Sequence, residues 1–92
     1  MSIPISVLVL TRNEERNLAR CLESAIWADE VVVVDGGSTD GTRSVAERFG
    51  PKVRWLERTW SGFKDQRNFA LDSARNDWVF SLDADEAISD EL

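Results

Sequence analysis

The segment Ile3 to Leu10, Ile-Pro-Ile-Ser-Val-Leu-Val-Leu, constrains the fold more than any other stretch. Near-continuous apolar character of this kind predicts a strand covered on both faces, the pattern of a parallel sheet. A second apolar run, Glu30 to Val34, leads into the loop Asp35-Gly36-Gly37-Ser38-Thr39-Asp40-Gly41-Thr42. Lys52 to Glu57 reads as a third strand and Trp78 to Leu82 as a fourth, with Val79, Phe80 and Leu82 suited to a mostly covered position. Helical spacing falls between these runs. Glu14 and Glu15 open a helix with the apolar stripe Leu18, Cys21, Leu22, Ala25 and Ile26. Val45, Ala46 and Phe49 form a short helix that Gly50-Pro51 stops. Phe63, Arg67, Ala70, Leu71 and Ala74 fall on related turns of a third, with Phe63, Phe69, Ala70 and Leu71 expected in the core. Strands alternating with helices predict an α/β fold, a parallel sheet of about four strands in the order 3-2-1-4 with flanking helices and right-handed crossovers. Ligands of such sheets bind beyond the carboxyl ends of the strands where the order reverses, here between the first and fourth.

Bulk properties narrow the function. A chain of 92 residues forms one domain at most. A net charge of −6 with no Lys/Arg cluster excludes a nucleic-acid partner, and the absence of His removes imidazole catalysis and the usual zinc sites. Cys21, the sole cysteine, lies in an apolar stripe and reads as a buried thiol in a reducing compartment. No apolar run is long enough for a membrane span or signal peptide, so a cytoplasmic location is expected.

Each polar cluster follows a strand: Thr11-Arg12-Asn13, Asp35 to Asp40, and Asp83 to Glu86. All three are expected to converge on one crevice. Asp83, Asp85 and Glu86 crowd three like charges together, a situation that a hard divalent cation relieves when a ligand's phosphates complete its shell. The alternative is a solvated acidic loop opening a helix at Ser89-Asp90-Glu91. Asp35 is placed to accept hydrogen bonds from a base or ribose, whereas Asp40 is expected to cap the following helix. A turn and cap explain Asp40 and Gly41 but leave Asp35 and Ser38 unexplained. Neither a dinucleotide fingerprint nor a P-loop is present. Gly62, Lys64 and Arg67 at the start of the third helix suit an anion, with Arg67 the candidate phosphate contact. Trp60 suits either ligand stacking or cover for the sheet edge.

Taken in order, Ile-Ser-Val-Leu-Val-Leu-Thr-Arg-Asn-Glu-Glu, Val-Val-Val-Val-Asp-Gly-Gly-Ser-Thr-Asp-Gly-Thr, Gln-Arg-Asn-Phe-Ala-Leu and Leu-Asp-Ala-Asp-Glu resemble the nucleotide-binding half of family 2 glycosyltransferases, inverting enzymes of the GT-A fold. The segment from Trp60 to Leu71 is similar to a branch that includes bacterial lipopolysaccharide core glucosyltransferases. This resemblance implies that Thr11, Asn13 and Glu14 line the nucleotide pocket, that Asp35 hydrogen-bonds the base with Ser38 alongside, and that Arg67 lies near the phosphates. It implies that Asp83-Ala84-Asp85 is the DxD motif, with Asp83 toward ribose and metal and Asp85 the main ligand of Mg²⁺ or Mn²⁺. Glu86 stands where many relatives carry Asp.

The family's general base and acceptor site come from the later half of the catalytic domain, so residues 1–92 are expected to be a nucleotide-sugar-binding part truncated after the DxD motif. Loss of a general base removes a factor of roughly 10²–10⁴, and the chain alone is expected to be inactive. UDP-glucose is the donor that the resemblance favours, a saccharide such as lipopolysaccharide core the acceptor, and the inner membrane face a peripheral location for the parent protein. The fourth strand is expected at an exposed edge, open to self-association. The rival readings are a non-catalytic nucleotide- or metal-binding module, a phosphatase-type Asp-x-Asp site, and a purely structural domain.

Overall fold

The computed structural model describes residues 3–84, so Asp85, Glu86 and the Ser89-Asp90-Glu91 segment lie outside the described residues. The elements run β1 (Ile3–Thr11), α1 (Leu18–Ala25), β2 (Ala28–Asp35), α2 (Thr42–Glu47), β3 (Val53–Glu57), α3 (Phe63–Ser73) and β4 (Trp78–Asp83). All pairings are parallel and the order is β3-β2-β1-β4, as the alternation of strands and helices predicts. The β1–β2 register shifts between Ile3 and Ser6, the segment that contains Pro4, which has no N–H to offer the ladder.

Alternate residues of the two central strands feed two separate cores, which is why both runs are apolar throughout. Val7, Val9, Val31 and Val33 pack with Leu18, Cys21, Leu22 and Ala25 of α1 and Val45 and Ala46 of α2. Leu8, Leu10, Val32 and Val34 pack with Ala70 of α3, flanked by Phe69 and Leu56. The first two crossovers step outward from β1 to β3, and the third returns past β1 to β4. A common handedness then requires α3 to cover the opposite face from α1 and α2, as observed.

Four local expectations are corrected. Helix α1 begins at Leu18, because the backbone N–H groups of Glu14 and Glu15 are held by Thr42 Oγ1 (3.0 Å) and Asp40 Oδ2 (3.4 Å). Residues 14–17 form a turn instead, with the N–H groups of Asn17 and Leu18 both donating to Glu14 O (3.0 and 2.9 Å). Ile26 is exposed just past the helix end, outside the buried stripe. In α3 the buried residues are Gln66 and Ala70, four apart, whereas Phe63 and Leu71 face outward. In β4 only Leu82 is buried; Trp78 is 76% exposed, and Val79 and Phe80 are exposed as well. The reason is positional: β4 pairs only with β1 among the described residues, and only Leu82 reaches the core shared with α1.

A buried polar cluster anchors the connection from α3 to β4. Glu30 is 3% exposed. It accepts from Ser6 Oγ (2.6 Å), the backbone N–H of Arg75 (2.5 Å) and Arg54 Nη1 (2.9 Å). Asn76 Nδ2 donates to Ser6 Oγ (3.0 Å) and Asp29 Oδ2 (3.1 Å), fixing the chain as it enters β4. Burial alone would raise the Glu30 pKa; the hydrogen bonds from Ser6, Arg75 and Arg54 outweigh it and hold the carboxyl below its ordinary value of 4.5. A depressed carboxyl pKa contributes stability that is present above pH 4.5 and is lost as pH falls through the folded value. Glu30→Gln, whose amide N–H₂ must face one of these donors, should therefore cost about 2–3 kcal/mol at neutral pH. Denaturant melts of the two proteins should converge at acid pH; parallel loss of stability would contradict the assigned role of Glu30.

Candidate functional site

Strand register brings the polar clusters level. Thr11 is opposite Asp35, Asp35 opposite Glu57, and Leu10 opposite Asp83, so all four strands end at one height. The two turns that leave β1 and β2 are then close enough to satisfy each other's backbone. Gly36 N donates to Thr11 O (2.9 Å). Asn13 N donates to Ser38 Oγ (2.8 Å), and Asn13 Oδ1 accepts from Thr39 N (2.7 Å). Asn13 has φ 53°, a left-handed conformation that Asn tolerates better than most side chains. Asp40 accepts from the hydroxyl and backbone N–H of Thr42 and from Glu15 N, and the Thr42 hydroxyl bond leads in holding its carboxyl below the usual range.

Asp35 and Ser38 have a structural task that their sequence context does not reveal. Asp35, 2% exposed, accepts from Gly37 N (3.0 Å), Ser38 N (2.7 Å) and Ser38 Oγ (2.5 Å). Its carboxylate thus shapes the turn, and Gly37 at φ +102° supplies the left-handed residue the turn needs.

Among the described residues, two adjoining crevices that share Arg12 lie beyond the strand ends. The first, about 240 Å³, is lined by Leu10, Thr11, Arg12, Glu14, Trp60, Phe63, Asp83 and Ala84. Two of its titratable groups are the carboxylates Glu14 and Asp83. Thr11 Oγ1 is buried at this crevice with no hydrogen-bond partner among the described residues. The Cys21 thiol, buried under α1, donates to the Asp83 carbonyl (3.8 Å) and ties the end of β4 to the helix. The second crevice, about 330 Å³, is lined by Arg12, Gly36, Gly37, Glu57, Arg58 and Thr59. Arg12 lines both.

Of the residues singled out from sequence, Thr11, Glu14 and Asp83 line the acidic crevice, whereas Asn13, Asp35 and Ser38 build the turn beside it. Arg67 is exposed on α3 and lines neither crevice. Asp85 lies outside the described residues, and among those described no group of three His, Cys, Asp or Glu side chains is arranged to hold a metal ion. Trp60 does line the crevice, packed edge-to-face on Phe63 (4.9 Å, 85°) and lying over Gly36. Phe63 belongs to this rim, not the core. Arg12, Arg58 and Thr59 were legible only as neighbours of the strand ends.

The family model "Glycosyl transferase family 2" matches residues 6–92. The lipopolysaccharide core biosynthesis glycosyltransferase LpsC of Rhizobium meliloti is 37% identical over 98% of this chain and 34% of its own length. Staphylococcus aureus TarS, a poly(ribitol-phosphate) beta-N-acetylglucosaminyltransferase solved with UDP-GlcNAc, superposes with a TM-score of 0.79 at 32% identity, over 97% of this chain and 28% of that one. Glucosyl-3-phosphoglycerate synthase from Mycobacterium tuberculosis, solved with Mn²⁺, UDP and glucosyl-3-phosphoglycerate, gives 0.75 at 26% identity, over 87% and 33%. The chain therefore spans about a third of the length of the relatives it matches. Sheet order, level strand ends and family match agree: this chain belongs to glycosyl transferase family 2 and carries the Rossmann-like half of a GT-A fold.

Proposed function

We propose that residues 1–92 form the nucleotide-sugar-binding part of a GT-A glycosyltransferase, with the nucleoside diphosphate of a UDP-sugar seated across the strand ends. The observation that carries this reading is the buried Thr11 hydroxyl, left without a partner at a crevice that Asp83 also lines. A buried polar atom without a hydrogen bond is costly, and a bound ligand would satisfy it. UDP complexes of TarS and of the mycobacterial synthase support the choice of nucleotide. The sugar is proposed as glucose, on the likeness to the mycobacterial glucosyl-3-phosphoglycerate synthase, and the acceptor as a saccharide of the lipopolysaccharide core, on the likeness to LpsC. No helix among the described residues is long and apolar enough to cross a membrane.

Asp83, an exposed oxygen donor at the mouth of the acidic crevice, fits a hard divalent cation. Asp83 and Asp85 would hold Mg²⁺ or Mn²⁺, the latter being present in the mycobacterial synthase complex. When bound, such a cation offsets the charge that develops on a departing nucleoside diphosphate. The chain's own residues do the rest of the donor binding: Asp35, its carboxylate held by Gly37 N, Ser38 N and Ser38 Oγ, shapes the turn against which the base rests, Glu14 and Thr11 line the ribose and phosphate side, and Arg12 supplies positive charge between the crevices. Arg67 on α3 is kept as the proposed phosphate contact, and Arg12, which lines both crevices, adds a second cation near the donor. The exposed β4 edge, with Trp78 and Phe80, is proposed to self-associate, and gel filtration showing only monomer would refute that.

Two measurements test the donor site. In calorimetric titrations, UDP binding should require Mn²⁺ and should weaken roughly tenfold or more in Asp83→Ala and in Asp85→Ala; binding that ignores the metal would overturn the assignment. Thr11→Val removes a hydroxyl that no described residue satisfies, so unfolding stability should hold or rise by about 1 kcal/mol while UDP affinity falls about fivefold. Loss of stability with affinity unchanged would mean that Thr11 is structural only.

A further inference from the structure

Arg58 is built into the second crevice more firmly than an exposed arginine requires. Its backbone is clamped from both sides: Arg58 N donates to Asp35 O (2.9 Å), and Arg58 O accepts from Nε2 of the fully buried Gln66 (3.1 Å). Its guanidinium carbon sits 5.0 Å from the centroid of the Phe69 ring. No described carboxylate pairs with that guanidinium. The adjacent Glu57 is engaged elsewhere, by Arg43 Nη1 (2.9 Å) and Trp55 Nε1 (3.2 Å). A cation so placed is pre-organised and keeps its remaining surface for something that enters the crevice.

The turn that lines the same crevice limits what can enter. Gly36 and Gly37 present no side chains there; a Cβ at Gly36 would meet Trp60 Cε3 at 3.2 Å, and Gly37 sits at φ +102°, a conformation that L side chains rarely adopt. The backbone donors of this turn are all in use: Gly36 N on Thr11 O, and Gly37 N and Ser38 N on the Asp35 carboxylate. A turn whose N–H groups are consumed by a carboxylate is no nest for a phosphate, which needs those donors and is repelled by that charge. A flat neutral group suits the slot better, because a guanidinium stacks readily on a π face. The acidic crevice on the far side of Arg12 is left for the diphosphate and its cation.

We infer that Arg58, held over Phe69, is a base-contacting residue, stacking on the donor's planar nucleobase in the slot floored by Gly36 and Gly37. This rests on the donor-binding reading above and adds to it a residue that sets how the base is gripped. Binding of uridine, UMP and UDP to the protein, Arg58→Lys and Arg58→Ala tests it. Stacking on the base costs the same factor for all three ligands, roughly 5- to 100-fold on removing the platform. Lys should fail to restore it, raising salt should leave the factor unchanged, and the unfolding midpoint of the unliganded protein should fall by no more than the few degrees that loss of the Phe69 contact costs. A loss confined to UMP and UDP, and rescued by Lys, would make Arg58 a phosphate contact and overturn the inference. So would unchanged affinities, or a loss of affinity that the protein shows only where it is partly unfolded. Failure of the unmutated protein to bind uridine, UDP, ADP or GDP would instead bring down the donor-site reading itself, and the inference with it.

Discussion

The parallel register of β1 and β2 is the constraint on which the site depends. Because Thr11 sits opposite Asp35, the two outgoing turns start side by side. Each then faces the same problem: backbone N–H groups that leave a strand and have no ladder partner. Here the side chains of one turn satisfy the other. Ser38 and Thr42 hydroxyls accept from Asn13 and Glu14 while donating to Asp35 and Asp40. A hydroxyl with both its accepting and donating capacity used has one orientation, so the rim is fixed before any ligand arrives.

That rigidity separates two charges that would otherwise neutralise each other. Glu14 and Asp83 lie on one side of Arg12, and Arg58 on the other. A nucleoside diphosphate carries the matching asymmetry, with a flat base at one end and a cation-bound diphosphate at the other. The second end of β4 is held with equal care. The Glu30, Ser6 and Asn76 cluster fixes where the strand begins, and the Cys21 thiol meets the Asp83 carbonyl where it ends. An edge strand with few buried side chains is thereby kept in register, which matters because a slip of one residue would turn Asp83 to the other face.

Much of this was readable in the amino-acid order. Apolar runs bounded by Gly, Asn and Asp predicted four strands, and a parallel sheet follows once helices alternate with them. The placement of Thr11, Glu14 and Asp83 at a shared crevice follows from topology, since parallel strands deliver their carboxyl ends to one edge of the sheet. Side-chain burial at the margins was not readable. Phe63 and Phe80 look like core residues by hydrophobicity, yet one sits on a crevice rim and the other on an uncovered strand. Gln66 looks like a surface residue and is fully buried, because its amide answers the Arg58 carbonyl.

Fold class, strand order and family were therefore legible in the order of residues, because alternating periodicities and short motifs carry them. Only the tertiary structure decided what each polar residue does. Asp35 and Ser38 shape a turn, Arg12 lines both crevices, and Arg58 lines the second. Hydrogen bonds between residues some 25 positions apart join the turn after β2 to the turn after β1, and no local pattern encodes which distant donor will meet which acceptor.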